Sequence, residues 1–185
     1  MIKKETNFIN YESNPDYYQG ILDSNYSFYS DGSSNKIKDT TKFIGGHAFV
    51  FIDKGEMKYY HSNYSLDTTN NRQELLGFLN SLIYANYLKL NNEDIYFSSD
   101  SQYVIKGISE YIKNWKKNNW INSNKKEVKN KDLWVKVDKE NTKLRQNNKV
   151  FYVWQYGHSN RKWNEYVDIL ATEATKQAKI ILLQS

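Results

Sequence analysis

Four acidic residues stand at places that could do chemistry: Asp31, Glu74, Asp100 and Asp168. Asp31 follows the alternating stretch "YSFYS" (26–30), and Asp100 follows the apolar run "DIYFSS" (94–99). Glu74 falls in the first turn of "NRQELLGFLNSLIYANYL" (71–88), and Asp168 in the first turns of "WNEYVDILATEATKQAKIILL" (163–183). Three of the four are embedded in apolar or aromatic runs, where an unpaired charge is costly. Each also has a local structural explanation. Asp31-Gly32 is a turn signal. Glu74 suits the third position of a capping box that reaches back to Asn71. Asp100 can cap a helix, and Asp168 can sit exposed near a helix N-terminus, where the dipole favours it. Together, acids at strand ends and helix starts also suit a cluster for hard divalent cations, which take oxygen ligands. Two such ions activate a water and stabilise the leaving oxygen of a phosphodiester. Four carboxylates match their combined charge. Without metal, acids crowded in this way repel, and some of their pKa values rise.

The elements that must position these acids follow from pattern. Stretches 26–30, 46–53 and 57–64 read as strands, and Lys54-Gly55 between the last two is a hairpin turn. Three consecutive antiparallel strands are expected. The period then changes: Leu75, Phe78, Leu79, Leu82 and Ile83 share one helical face, with Asn70 or Asn71 as the cap. A strand at 94–99, a helix from Ser101 to about Ile112, a helix at 131–144, a strand at 149–156 and a helix at 163–183 complete the chain. This order predicts an α/β fold, a mixed sheet flanked by helices. Residues 1–24 lack periodicity and are expected to form a loosely ordered N-terminal arm, with one domain over 25–185. His47 and His61 lie in strand signals and read as structural, as do Tyr103 and Trp134.

Composition bounds the possibilities. A chain of 185 residues with 39% hydrophobic and 16% aromatic content can bury one core. It holds no cysteine, which excludes disulfides, thiolate zinc sites and a cysteine nucleophile. The N-terminus has no apolar signal region, and no stretch approaches the roughly 20 apolar residues of a membrane span. The expectation is a cytoplasmic protein with no membrane partner. Between Lys113 and Asp132 lie seven lysines and two acids, a local +5 that equals the net charge of the whole chain. Trp115 and Trp120 are interleaved with them. Lysines with aromatics suit a nucleic-acid backbone; a solvated lysine-rich loop is the alternative.

The pieces "FYSDGSS" (28–34), "TTNNRQELL" (68–76), "SSDSQYVIKGI" (98–108), "NWKKNNW" (114–120), "KNKDLW" (129–134) and "WQYGHSNRKWNEYVDILA" (154–171) occur in one order. As a set they resemble type 1 ribonuclease H. The resemblance implies an endonuclease that hydrolyses the RNA strand of RNA–DNA hybrids and leaves 5′-phosphate and 3′-hydroxyl ends. It implies a ribonuclease H-like fold: a five-stranded mixed sheet, its first three strands antiparallel, with a basic protrusion. It makes Asp31 and Asp100 the central ligands of two Mg²⁺ ions, or Mn²⁺. Glu74 would also meet the 2′-hydroxyl region, and Asp168 would complete the second metal site. His158, ten residues before Asp168, would shuttle a proton or assist product release. Ser34, Asn70, Asn71 and Gln102 would lie near the RNA strand and its groove. Thr69, Arg72 and Asn114 would hold a phosphate of the DNA strand. Trp115, Lys116, Lys117 and Trp120 would belong to the protrusion. A monomer is expected. Two rivals keep the same fold: a non-catalytic hybrid-binding protein, and a nuclease for DNA junctions or retroelements.

Overall fold

In the computed structural model, residues 7–157 and 160–184 are described. The strands are β1 (Phe8–Asn10), β2 (Tyr26–Lys36), β3 (Phe43–Asp53), β4 (Glu56–Ser65), β5 (Asp94–Ser99) and β6 (Lys149–Trp154). They form one mixed sheet in the order β1-β6-β5-β2-β3-β4. β2, β3 and β4 are antiparallel neighbours, while β1, β6, β5 and β2 run parallel. The helices are α1 (Pro15–Ser24), α2 (Asn70–Tyr87), α3 (Gln102–Lys106), α4 (Ile112–Lys117), α5 (Lys131–Leu144) and α6 (Lys162–Gln184).

Side chains on a strand alternate between faces, and here the alternation sorts two cores. Phe28, Phe51 and Phe97 point to one face, where Leu75, Phe78 and Leu82 of α2 and Trp134 and Val137 of α5 cover them. Tyr29, Val50 and Tyr96 point to the other, under Leu22 of α1 and Val167 and Ala171 of α6. Burying a Phe or Leu contributes about 1.5–3 kcal/mol each. The aromatic layer of Phe28, Phe78 and Phe97, each 1% exposed or less, therefore dominates over exposed ion pairs such as Lys176–Glu173. Among the described residues, no helix is long and apolar enough to cross a membrane.

Four expectations change. Residues 8–24 are not a loose arm. β1 pairs in parallel with β6, and Tyr11 and Leu22 are buried at 3% and 1% exposure. A three-residue strand has no periodicity to read; its partner β6 creates it. The sheet therefore has six strands: the five expected and β1. β2 does not end before Asp31 but continues to Lys36, and β3 begins at Phe43, so the loop between them is only 37–42. The helix after Asp100 does not stop at Ile112. A π-helical turn (Gly107–Tyr111) joins α3 to α4, which runs to Lys117.

Candidate active site

β2 and β5 pair in parallel from Tyr26↔Ile95 to Tyr29↔Ser98. Carrying that register two residues further sets Asp31 level with Asp100. β5 has ended by then, while β2 continues against β3, with Asp31 opposite Ala48. The neighbour on the far side of β5 is β6, reached later in the chain, so the strand order reverses at the β2/β5 pair. In open α/β sheets the crevice outside the carboxyl ends at such a point is where ligands bind.

Two helices bring the other acids to this crevice, and two glycines let them come close. A Cβ at Gly32 would overlap the backbone of Gln73 and Glu74, so only glycine admits the start of α2 onto β2. A Cβ at Gly46 would stand 2.5 Å from the Ala171 carbonyl oxygen and from the Ala174 Cβ, so only glycine seats α6, the helix of Asp168, on β3. Gly46→Val is accordingly expected to cost about 1–3 kcal/mol by overpacking. A lower urea midpoint checks it; an unchanged midpoint would show that α6 can back away freely.

The start of α2 differs from expectation. Its cap is Thr69, whose Oγ1 accepts from Arg72 N–H at 3.3 Å. Glu74 is therefore past the capping-box position and turns to the crevice. Its Oε1 accepts from Asn70 Nδ2 at 2.8 Å, and its Oε2 accepts from Ser101 Oγ. Ser101 also caps α3, accepting from Val104 N–H at 3.3 Å. One hydroxyl thus ties the element of Asp100 to Glu74. In the sequence Ser101 marks only the start of a helix; its signal as a site residue is its place directly after Asp100.

The electrostatics link all four acids. Asp31 is buried, and its Oδ1 accepts from Gly32 N–H at 2.7 Å. Burial first, and then the Asp100 charge, hold its pKa well above the usual carboxylate range, and Asp168 and Glu74 add to the effect. Glu74 is pushed up to about 6, chiefly by burial and with help from Asp100, against the lowering bonds from Ser101 and Asn70. The backbone at Gly157 lies so close to Asp100 that a Cβ there would overlap Oδ2. Among the described residues no three acidic or histidine side chains already point at one common position. Repulsion between the carboxylates acts against such convergence. His158 lies outside the described residues.

The remaining predicted residues divide. Ser34 Oγ donates to Asn70 Oδ1 at 3.4 Å, which places both beside Glu74. Asn71 and Gln102 are exposed at the starts of α2 and α3. Arg72 donates to Asp132 at 2.9 and 2.6 Å and to Asn130 Oδ1 at 3.4 Å. The asparagine brought to Arg72 is thus Asn130, at the start of α5, and not Asn114. Asn114 is exposed on α4 beside a groove shared with Tyr111 and Asn118. Both asparagines lie in the lysine-rich segment, and only the path of the chain chooses between them. Trp115 and Trp120 are half-buried against the core, Trp115 edge-on to Trp134 with centroids 5.2 Å apart. Their rings fasten the protrusion to the domain. Lys116 pairs with Asp138 at 2.8 Å, whereas Lys113, Lys117, Lys125, Lys126 and Lys129 are exposed. His47 is buried between Gln73 (2.8 Å) and Asn80 (3.1 Å), and burial lowers its pKa, so it is structural as expected. Trp134 is fully buried and donates to Tyr103 Oη at 2.9 Å.

Known proteins resemble this chain in sequence and in fold. A family model described as RNase H matches residues 23–176. The ribonuclease H of Treponema denticola is 33% identical over 165 residues, covering 83% of this chain and 98% of that protein. The ribonuclease H of Pseudoalteromonas translucida is 41% identical over 130 residues, covering 70% and 79%. Among solved structures, the solution structure of the PFV RNase H domain is similar with a TM-score of 0.66 at 22% identity, covering 85% of this chain and 95% of that one. LC11-RNase H1, crystallised in complex with RNA/DNA hybrid, gives 0.57 at 20% identity, covering 83% and 98%. At such identity the two structures speak for the fold. The sequence matches reach further: this chain belongs to the ribonuclease H family.

Proposed function

We propose that the protein hydrolyses the RNA strand of RNA–DNA hybrids with two divalent cations, leaving 5′-phosphate and 3′-hydroxyl ends. The observation that supports the reading is that Asp31 stands level with Asp100 at the carboxyl ends of β2 and β5, with the charges of Asp100, Asp168 and Glu74 all bearing on its carboxyl. The donor set fits Mg²⁺ or Mn²⁺: every group is a hard oxygen donor, and the repulsion among them is what a cation relieves. Asp31 and Asp100 would be shared ligands, flanked by Glu74 and Asp168. Bound there, the ions supply an activated water and offset charge on the phosphate.

The chain's own residues do the rest. Ser101 and Asn70 fix both oxygens of Glu74. Ser34, Asn70, Asn71 and Gln102 offer polar groups to a 2′-hydroxyl, the feature that separates RNA from DNA. Thr69, Arg72 and Asn130 form the phosphate contact, with Arg72 held in place by Asp132 until a phosphate competes. His158 moves a proton or helps product leave. The exposed lysines of the protrusion bind backbone.

The test is incubation with Mg²⁺ and labelled hybrid, duplex DNA or duplex RNA. Cleavage of the hybrid's RNA strand alone is expected, with products that a 5′-phosphate-dependent exonuclease degrades. Equal cleavage of duplex DNA would sink the assignment. Replacing Lys117, Lys125 and Lys126 by Gln removes three exposed cations. The slope of log K against log salt is then expected to shrink by about 2–3. An unchanged slope would return the segment to a solvated loop.

A further inference from the structure

The segment ahead of the family match, which begins at residue 23, reaches the connection that leads into α6. Glu12 sits in a 3₁₀ turn (Tyr11–Ser13) between β1 and α1. Its Oε1 accepts from the Tyr156 N–H at 2.7 Å and from Arg161 Nη1 at 2.7 Å, and its Oε2 accepts from Arg161 Nη2 at 2.8 Å. Tyr156 lies two residues past the end of β6, and Arg161 directly precedes α6. One carboxylate therefore ties both ends of the connection from Gln155 to Arg161.

This contact differs from a surface ion pair. The Arg161 and Glu12 side chains are only 17% and 18% exposed. The pairing is bidentate, and Arg161 holds the Glu12 carboxyl below the usual range. The guanidinium also lies 4.2 Å over the ring of Tyr11, itself buried. The anchor behind Glu12 is firm: β1 pairs with β6, and the Asn7 side chain donates to the Val150 carbonyl. On its other side the connection abuts the site, with Gly157 against the Asp100 carboxylate.

We infer that Glu12 is a positioning residue that acts through His158: it ties Tyr156 to Arg161 and so holds Gly157 against the Asp100 carboxylate. The inference rests on the proposed role of His158. It assigns a part in turnover to the segment that precedes the matched residues 23–176.

A double-mutant cycle with hydrogen exchange tests it, in the full chain. Glu12→Ala is expected to speed amide exchange at Tyr156, Gly157 and Asn160 by about tenfold, the scale of a lost charged hydrogen bond. Amides of Tyr152 and Val153 should keep their wild-type exchange. kcat on hybrid should fall by a similar factor, with KM nearly constant. In a His158→Ala background the same substitution should leave kcat almost unchanged, because the residue it acts through is gone. Glu12→Gln, close in shape and still an acceptor for Tyr156, is measured in parallel in case the alanine variant does not fold, and should show smaller changes of the same sign. Equal losses of kcat in both backgrounds, faster exchange throughout β6, or unchanged exchange in the connection would each overturn the inference. A wild-type protein that cuts no hybrid would instead overturn the proposed function, and the exchange data would still report on the clamp.

Discussion

Asp100→Asn is expected to lower turnover on RNA–DNA hybrid by about 10³-fold or more while hybrid binding stays close to wild type. The size follows from the several kcal/mol a metal site contributes to the transition state, each 1.36 kcal/mol being tenfold in rate. The substitution keeps the shape of the side chain and removes its charge. Part of the local scaffold is held by other groups. Trp154 Nε1 donates to the Asp100 backbone carbonyl at 3.0 Å, and α3 is capped by Ser101. Binding should survive because the proposed backbone contacts lie elsewhere, on the protrusion and around Arg72 and Asn130. Loss of the Asp100 charge also relieves Asp31, whose pKa Asp100 raises more than any other neighbour does. The variant should therefore fold at least as well as the parent. Anisotropy with labelled hybrid, beside cleavage at saturating Mg²⁺, measures both quantities. Turnover near wild type would remove Asp100 from the site; equal loss of binding would mean that its charge shapes the groove.

The acids were legible in the sequence because charge in an apolar run is a strong signal, and the two core faces were legible because alternation and helical period are local. α5 and β5 have the expected bounds for the same reason. What stayed hidden depends on partners distant in sequence. β2 continues past Asp31 because β3 pairs with it to Lys36. Helix capping by Thr69 was hidden behind two asparagines that are equally good caps in isolation. Asn130 and Asn114 are chemically equivalent until the chain path brings one to Arg72. Glu12 and Arg161 are 149 residues apart, and nothing near either predicts the other. The candidate acids were thus readable from residue types, while the polar groups that hold them in place were not.

The carboxylate cluster should also cost the metal-free protein stability, and the cost should depend on pH. Glu74 has a folded pKa of about 6 against an ordinary 4.5. A carboxyl whose folded pKa is raised binds more protons folded than unfolded, so its favourable contribution is complete below 4.5 and is lost as pH rises through 6. That shift corresponds to about 2 kcal/mol. Asp31, raised by burial and by Asp100, acts in the same direction. Glu12 and Asp132 act oppositely, since their arginine partners lower their pKa values. Their contribution cancels when a variant is compared with the parent at each pH. Glu74→Gln, in EDTA, is therefore expected to be more stable than the parent by about 2 kcal/mol at pH 8, with the gain fading toward pH 4.5. Asp31→Asn should show the same trend. Mg²⁺ at 100 times its Kd should stabilise the parent by about 2.7 kcal/mol and either variant by less, because only the full set of acids makes the ligand set. Urea midpoints at the two pH values, with and without Mg²⁺, measure all of this. A gain that does not change with pH would mean that packing and not charge decides it, and no gain at pH 8 would show that water reaches these carboxylates freely. The same charges that let the site hold cations are the ones the fold must carry against repulsion when no cation is there.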